Sequence, residues 1–331
     1  MSDPGESEVT GEVEVSSPAR SSIRAIFFGS GSFAVPILES LLAVPGVDVI
    51  TVVSAPDRPV GRGAILTPTP VAARAAELGL PLQQPDRVRA DDSVRALAGL
   101  APDLAVLADY GQLIPQSLIE LPTRGFLNVH PSALPRHRGA TPIPATILAG
   151  DAESAVTLLC LTQALDAGPI VAVEPLPVHA GDTTPQLEER AAVAGARLVA
   201  RSLPDWLAGR LEPQPQPSEG VTLTKPLHRE DGRMDALRPA GELERQVRAY
   251  QPWPGSFMET ASGRLIVWRA GVCEAGRDPG APGALQALGD DLGLVTGHGL
   301  LVLHEVQPAG KRRMSGAELL RGRPELAGSR I

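Results

Sequence analysis

The chain of 331 residues has only two cysteines, Cys160 and Cys273, too few for a disulfide framework. Cys160 lies inside the apolar run 155–161, so two buried free thiols are expected, in keeping with a reducing cytoplasm. No run approaches the ~20 apolar residues that cross a bilayer, and no membrane partner is expected. The first 22 residues are polar and acidic, unlike a secretory signal. None of the histidines stands at metal-ligand spacing from cysteines or acids, so no metal is expected. Positive charge is short overall: the net charge is −8, of which residues 1–20 carry −4, 21–212 carry −5 and 213–331 carry +1. This argues mildly against nucleic acid but leaves the C-terminal part relatively basic, with the run Lys311-Arg312-Arg313.

Residues 1–21 lack a periodic apolar pattern and read as a disordered acidic extension. From residue 23 onward strand and helix patterns alternate. Strands are predicted over 23–28, 47–53, 104–108, 125–130 and 156–161, helices over 33–43, 71–78, 142–149 and 185–207. Such alternation implies an α/β, Rossmann-like open, mostly parallel sheet over 22–206. Residues 207–221, with Pro213, Pro215 and Pro217, read as an extended Pro-rich linker. Over 222–331 a helix at 242–250 and short strands between glycine turns suggest a small C-terminal β-barrel, OB-like in size and pattern.

Asn128 and His130 stand two apart at the end of a predicted strand, so their side chains share one face. Pro131 then ends the strand, having no N–H for the ladder. An amide donor, an imidazole and the later carboxylate of Asp166 (in Asp166-Ala167-Gly168-Pro169) can stabilise a developing oxyanion and move a proton. No serine, cysteine or metal is needed, which points to direct acyl transfer. Singly, each residue also has a plainer reading: a buried histidine satisfied by backbone, an Asp bonding its own turn. A rival site is Gly29-Ser30-Gly31-Ser32-Phe33-Ala34, which matches the dinucleotide pattern G-x-G-x-x-A. Asp57 would then be the ribose acid, although it lies in a loop past Ala55-Pro56. An oxidoreductase reading stays open on these residues alone.

Several motifs together resemble the formyltransferases that use 10-formyltetrahydrofolate, and within them the methionyl-tRNA formyltransferase branch. They are Asp57-Arg58-Pro59-Val60-Gly61-Arg62-Gly63, Tyr110-Gly111-Gln112, Asn128-Val129-His130-Pro131-Ser132, Leu165-Asp166-Ala167-Gly168, Pro252-Trp253-Pro254 and Gln307-Pro308-Ala309-Gly310-Lys311. The resemblance runs from about residue 23 to the C-terminus. It implies the formyltransferase fold and transfer of a formyl group from folate N10 to the methionine amine of initiator tRNA; a monomer is expected, although the sequence itself does not give the oligomeric state. By the same resemblance Asn128, His130 and Asp166 are catalytic. Ser132, Ala133, Leu134, Pro135, Tyr110 and Gly111 would bind folate, and Arg58, Arg62, Lys311 and Arg312 would bind tRNA. Three departures from the family pattern stand out. Ala64-Ile65 replace two lysines, Gly31-Ser32 replace Pro-Asp, and Asp109 replaces an alanine. An acceptor amine on a sugar or nucleotide remains the alternative.

Overall fold

A computed structural model describes residues 22–60, 63–274 and 280–331; the extension anticipated over 1–21 lies outside the described residues. In the first half, β1 (Ile23–Gly29), α1 (Ala34–Leu42) and β2 (Val47–Val53) are followed by a hairpin, β3 (Arg58–Val60) and β4 (Ile65–Thr67). Next come α2 (Pro70–Glu77), β5 (Leu82–Gln83), α3 (Asp91–Gly99), β6 (Leu104–Ala108), α4 (Gln116–Ile119) and β7 (Phe126–His130). β8 (Arg138–Gly139), α5 (Pro142–Ala149), β9 (Glu153–Cys160), β10 (Ile170–Pro177) and α6 (Thr184–Leu207) complete it.

Seven of these strands form one sheet in the order β10-β9-β7-β6-β1-β2-β5. The last five of that order run parallel; at one side β9 runs antiparallel to β7, and β10 antiparallel to β9. Strand order reverses between β1 and β6, and crevices at such switch points hold ligands in open α/β sheets. Side chains alternate between the two faces, as the period of two requires. In β1, Ala25 and Phe27 join the core beneath α1 and α6, whereas Ile26 and Phe28 join the core beneath α3 and α4. On β7 the same rule sends Leu127 and Val129 to the first core and Phe126 to the second. Asn128 and His130 therefore share the face of Phe126, at the carboxyl end of the strand.

Local signals set the helix limits. Thr69 caps α2 through a hydrogen bond from Ala72 N (3.1 Å), with Pro70 at the first helical position, where its missing N–H costs nothing. Ahead of α6, Gln186 Oε1 accepts from Thr183 N at 3.0 Å, the returning half of a capping box.

The second half comprises β11 (Leu223–Thr224), α7 (Ala240–Ala249), β12 (Ser256–Thr260), β13 (Gly263–Cys273), β14 (Leu285–Leu288), β15 (Asp291–Val295), β16 (Leu300–Pro308), β17 (Met314–Ser315) and α8 (Gly316–Gly322). Its antiparallel sheet runs β12-β13-β16-β15-β14, with β17 against β16. Leu243, Val247, Met258, Leu292, Leu301 and Leu319 make a core of its own. The halves are fastened through α7. Ala249 belongs to the first core, Arg245 Nε donates to Leu148 O at 3.1 Å, and Arg248 Nη1 donates to Asp182 O at 2.8 Å.

One expectation needs correcting. Cys160 is half-buried, and burial pushes its thiol pKa up, but Cys273 is exposed. It ends β13, whose last two residues run beyond the packed part of the strand. Among the described residues, no helix is long and apolar enough to cross a membrane.

Candidate active site

Asn128 and His130 are each only 5% exposed. Asp166 reaches them from the loop between β9 and β10, 38 residues further on. Its Oδ1 accepts from Asn128 Nδ2 at 3.0 Å, and its Oδ2 accepts from Gly139 N at 2.7 Å. The same Oδ2 lies 3.7 Å from His130 Nδ1. His130 Nε2 stands 3.0 Å from His137 O; a carbonyl only accepts, so Nε2 is the donor there. The imidazole is thus fixed by a hydrogen bond at Nε2 and faces the Asp166 carboxyl at Nδ1. Among the described residues, one N–H and the Oδ1 of the Asn128 amide keep no protein partner, and the residue lines a cavity of about 560 Å³. Apolar side chains such as Leu107, Leu113, Ile143 and Leu165 form much of the wall, together with His130, Asp166 and Asp109.

The loop after β7 explains how these groups meet. Ser132 Oγ donates to Arg136 O at 2.8 Å, and Thr157 Oγ1 donates to Ser132 O at 2.7 Å. His137 is buried, with Nε2 2.7 Å from Asp151 Oδ2. The loop so closed delivers Gly139, at φ +112°, with its N–H toward Asp166. A Cβ at Gly139 would overlap Thr224 O, so only glycine fits.

Ser132, Ala133, Leu134 and Pro135, implied as folate contacts, are not in the cavity wall. Ser132 is fully buried and Leu134 nearly so, because they close the loop that carries Gly139. Tyr110 and Gly111 do line the cavity, and they also line a neighbouring cavity of about 910 Å³ that contains Arg58, Arg87 and Arg89. Arg62 lies outside the described residues. Lys311 and Arg312 sit in the turn between β16 and β17, on the other sheet, where Arg312 is paired with Glu318. Sequence reasoning missed Arg87, Arg89, Thr184 and Glu188 as cavity residues, since nothing local marks them.

With this geometry in place, the chain can be set beside known proteins. A family model described as formyl transferase matches residues 23–203, and one described as formyl transferase, C-terminal domain, matches residues 226–324. The methionyl-tRNA formyltransferase of Myxococcus xanthus is 40% identical over 307 residues, 92% of this chain and 97% of that protein. That of Roseiflexus castenholzii is 40% identical over 310 residues, 94% and 99% of the two chains. The chain belongs to the methionyl-tRNA formyltransferase family. Solved structures agree on the fold. An N-formyltransferase from Helicobacter canadensis has a TM-score of 0.62 at 15% identity, covering 85% of this chain and 99% of that one. The methionyl-tRNA formyltransferase from Clostridium thermocellum has a TM-score of 0.51 at 16% identity, covering 75% and 93%.

In this formyltransferase the glycine turn after β1 is not an anion cradle. Ser30 N and Gly31 N both donate to Asp109 O, at 2.9 and 3.4 Å. A Cβ at Gly31 would overlap the Asp109 carboxyl, so that carboxyl fills the space where a pyrophosphate would have to lie. Asp57 is engaged by Gln84 Nε2 at 2.7 Å. The turn that would cradle a dinucleotide phosphate is therefore already occupied.

Proposed function

We propose that this chain transfers the formyl group of 10-formyltetrahydrofolate to the α-amino group of methionine on initiator tRNA, by direct attack and without a covalent enzyme intermediate. The observation that carries the reading is the convergence of Asn128, His130 and Asp166 in one largely apolar cavity whose wall, among the described residues, contains no serine, cysteine or lysine. Its volume and its few converging polar groups suit a folate-sized ligand. Folate supplies the activated formyl group. As the amine attacks, negative charge develops on the formyl oxygen, and the free N–H of Asn128 donates to it. His130 becomes the second donor when the formyl oxygen replaces His137 O at Nε2. Asp166, facing Nδ1, orients the ring, and its carboxylate carries a proton from the amine to folate N10 as the bond between the formyl carbon and N10 breaks.

Residues 22–206 then form the catalytic domain and 222–331 the tRNA-binding domain, joined by 207–221. The arginine-bearing cavity beside the site suits the acceptor end of a tRNA, with Arg58 in its wall; Arg62, outside the described residues, would serve the same end, and Lys311 and Arg312 the acceptor arm further away. The test is formylation of charged initiator tRNA with 10-formyltetrahydrofolate. Asn128→Ala and His130→Ala should each lower kcat by about 10²–10³ with little change in melting temperature. Near-normal turnover in either variant would refute the oxyanion assignment. Formylation of an amino sugar nucleotide but not of tRNA would refute the acceptor.

A further inference from the structure

We infer that Gln216, in the Pro-rich segment between the halves, is a positioning residue for Asp166; this rests on the catalytic reading above. Between residues 212 and 220 every side chain is exposed except Gln216, which is half-buried. Its Nε2 donates to Asp166 O and to Gly168 O, both at 2.8 Å. Its Oε1 accepts from Arg138 Nε at 3.1 Å and from Arg138 Nη2 at 2.7 Å. The full hydrogen-bonding capacity of a primary amide is in use. A single side chain thereby fastens the two loops whose meeting makes the site. One carries the Asp166 carboxyl, and the other carries Gly139, whose N–H donates to that carboxyl.

The segment is clamped on either side of Gln216. Gln214 and Ile170 exchange backbone hydrogen bonds at 2.7 and 2.8 Å. Further along, β11 pairs in parallel with β8, and Thr224 Oγ1 accepts from Thr141 N while donating to Arg138 O, both at 3.1 Å. The flanking Pro215 and Pro217 fix φ and remove N–H groups, so the chain stays extended and presents the amide with little freedom to lose. Asp166 needs such restraint. It is a non-glycine residue at φ +46°, a conformation that persists where the surroundings over-determine it, and Gln216 holds its own carbonyl.

Two variants separate the arms of this clamp. Gln216→Ala removes both; Gln216→Glu keeps an acceptor for Arg138 and removes both donors to the Asp166 loop. Both should lower kcat by about 10- to 10²-fold, the scale of a slight misplacement of a reacting group. KM for folate and for tRNA should stay within about twofold. Hydrogen exchange of the Gly139 amide, a readout independent of turnover, should quicken by about tenfold or more in both variants. Rescue of kcat and of protection by Gln216→Glu would overturn the proposal, since Gln216 would then only anchor Arg138. Unchanged kcat in Gln216→Ala would overturn it too, even with faster exchange. A wild-type protein that formylates no tRNA would instead sink the functional reading, and the exchange measurement would still decide whether Gln216 holds Asp166 against Gly139.

Discussion

Asp109 follows the last residue of β6, at φ +47°, with its carboxyl lying over Gly31 and opening onto the cavity. The residue keeps exposed area, but its carboxyl faces into the turn and toward Glu188. Desolvation, and then the charge of Glu188, therefore push it above the usual carboxylate range, an effect that solvent around the exposed part weakens. A raised folded-state pKa means that the unfolded chain loses this proton first as pH rises. Stability contributed by protonated Asp109 is therefore lost as pH climbs from the unfolded value through the folded one, and a penalty remains at neutral pH. Asp109→Asn should accordingly melt higher than wild type at about pH 7, with the gain vanishing near about pH 3. Thermal melts across that range check it, and equal melting points at neutral pH would show that the charge is fully solvated. Residues of this kind mark the limit of reading a site from sequence. The i, i+2 pair Asn128 and His130 was legible because strand parity alone puts both on one face. The fit of Gly31 to Asp109 joins residues 78 apart, and no local pattern encodes it. Ser132 shows a related limit: its motif is legible, but nothing local says that its hydroxyl bonds the loop backbone.

Among the elements, α6 shows how a helix start can tie parts of the molecule together. Asp182 stands ahead of it, buried, and both terminal nitrogens of Arg190 donate to its carboxyl. His179 N adds a further bond at 2.7 Å, and Asp182 O accepts from Arg248 of α7. Burial alone would raise the Asp182 pKa, but the Arg190 and His179 hydrogen bonds outweigh it and hold the carboxyl below its ordinary value. A lowered folded-state pKa gives stability that is present above the unfolded pKa and lost as pH falls through the folded one. Asp182→Asn should cost about 2 kcal/mol at neutral pH, the scale of hydrogen bonds to a charged group. Denaturant titrations should show that difference shrinking below about pH 4. A constant difference down to acid pH would mean that shape, not charge, holds the junction. The strands and helices themselves were largely legible, because Pro70, Thr69 and Gly150 punctuate the chain where the elements begin or end. The Pro-rich segment was legible only as extended backbone. Its composition says nothing about the loops that Gln216 and Thr224 grip, which lie about 50 to 85 residues earlier in the chain.

For the molecule as a whole, a net charge of −8 has to be reconciled with a polyanionic acceptor. All of the 30 cationic side chains except Lys225 and Lys311 are arginines, and many are already committed. Arg312 pairs with Glu318, and Arg313 stacks over the Trp268 ring at 3.6 Å. Lys311 is exposed and, among the described residues, has no ion pair. It is therefore the cation of this turn that gains most from a phosphate. Each phosphate neutralised releases counterions, so Lys311→Ala should reduce the slope of log Kd against log salt for tRNA by about one. Folate affinity should not change, because the turn and the cavity belong to different sheets. Fluorescence titrations at several salt concentrations check this, and an unchanged slope would place the acceptor arm elsewhere. Kinetics add a sharper condition. A contact that only positions the far end of the acceptor raises KM for tRNA and leaves kcat alone. Were kcat to fall instead, the turn would have to act on Asn128, His130 and Asp166 through the connections between the halves, and α7 and the Gln216 segment are the routes that the structure offers.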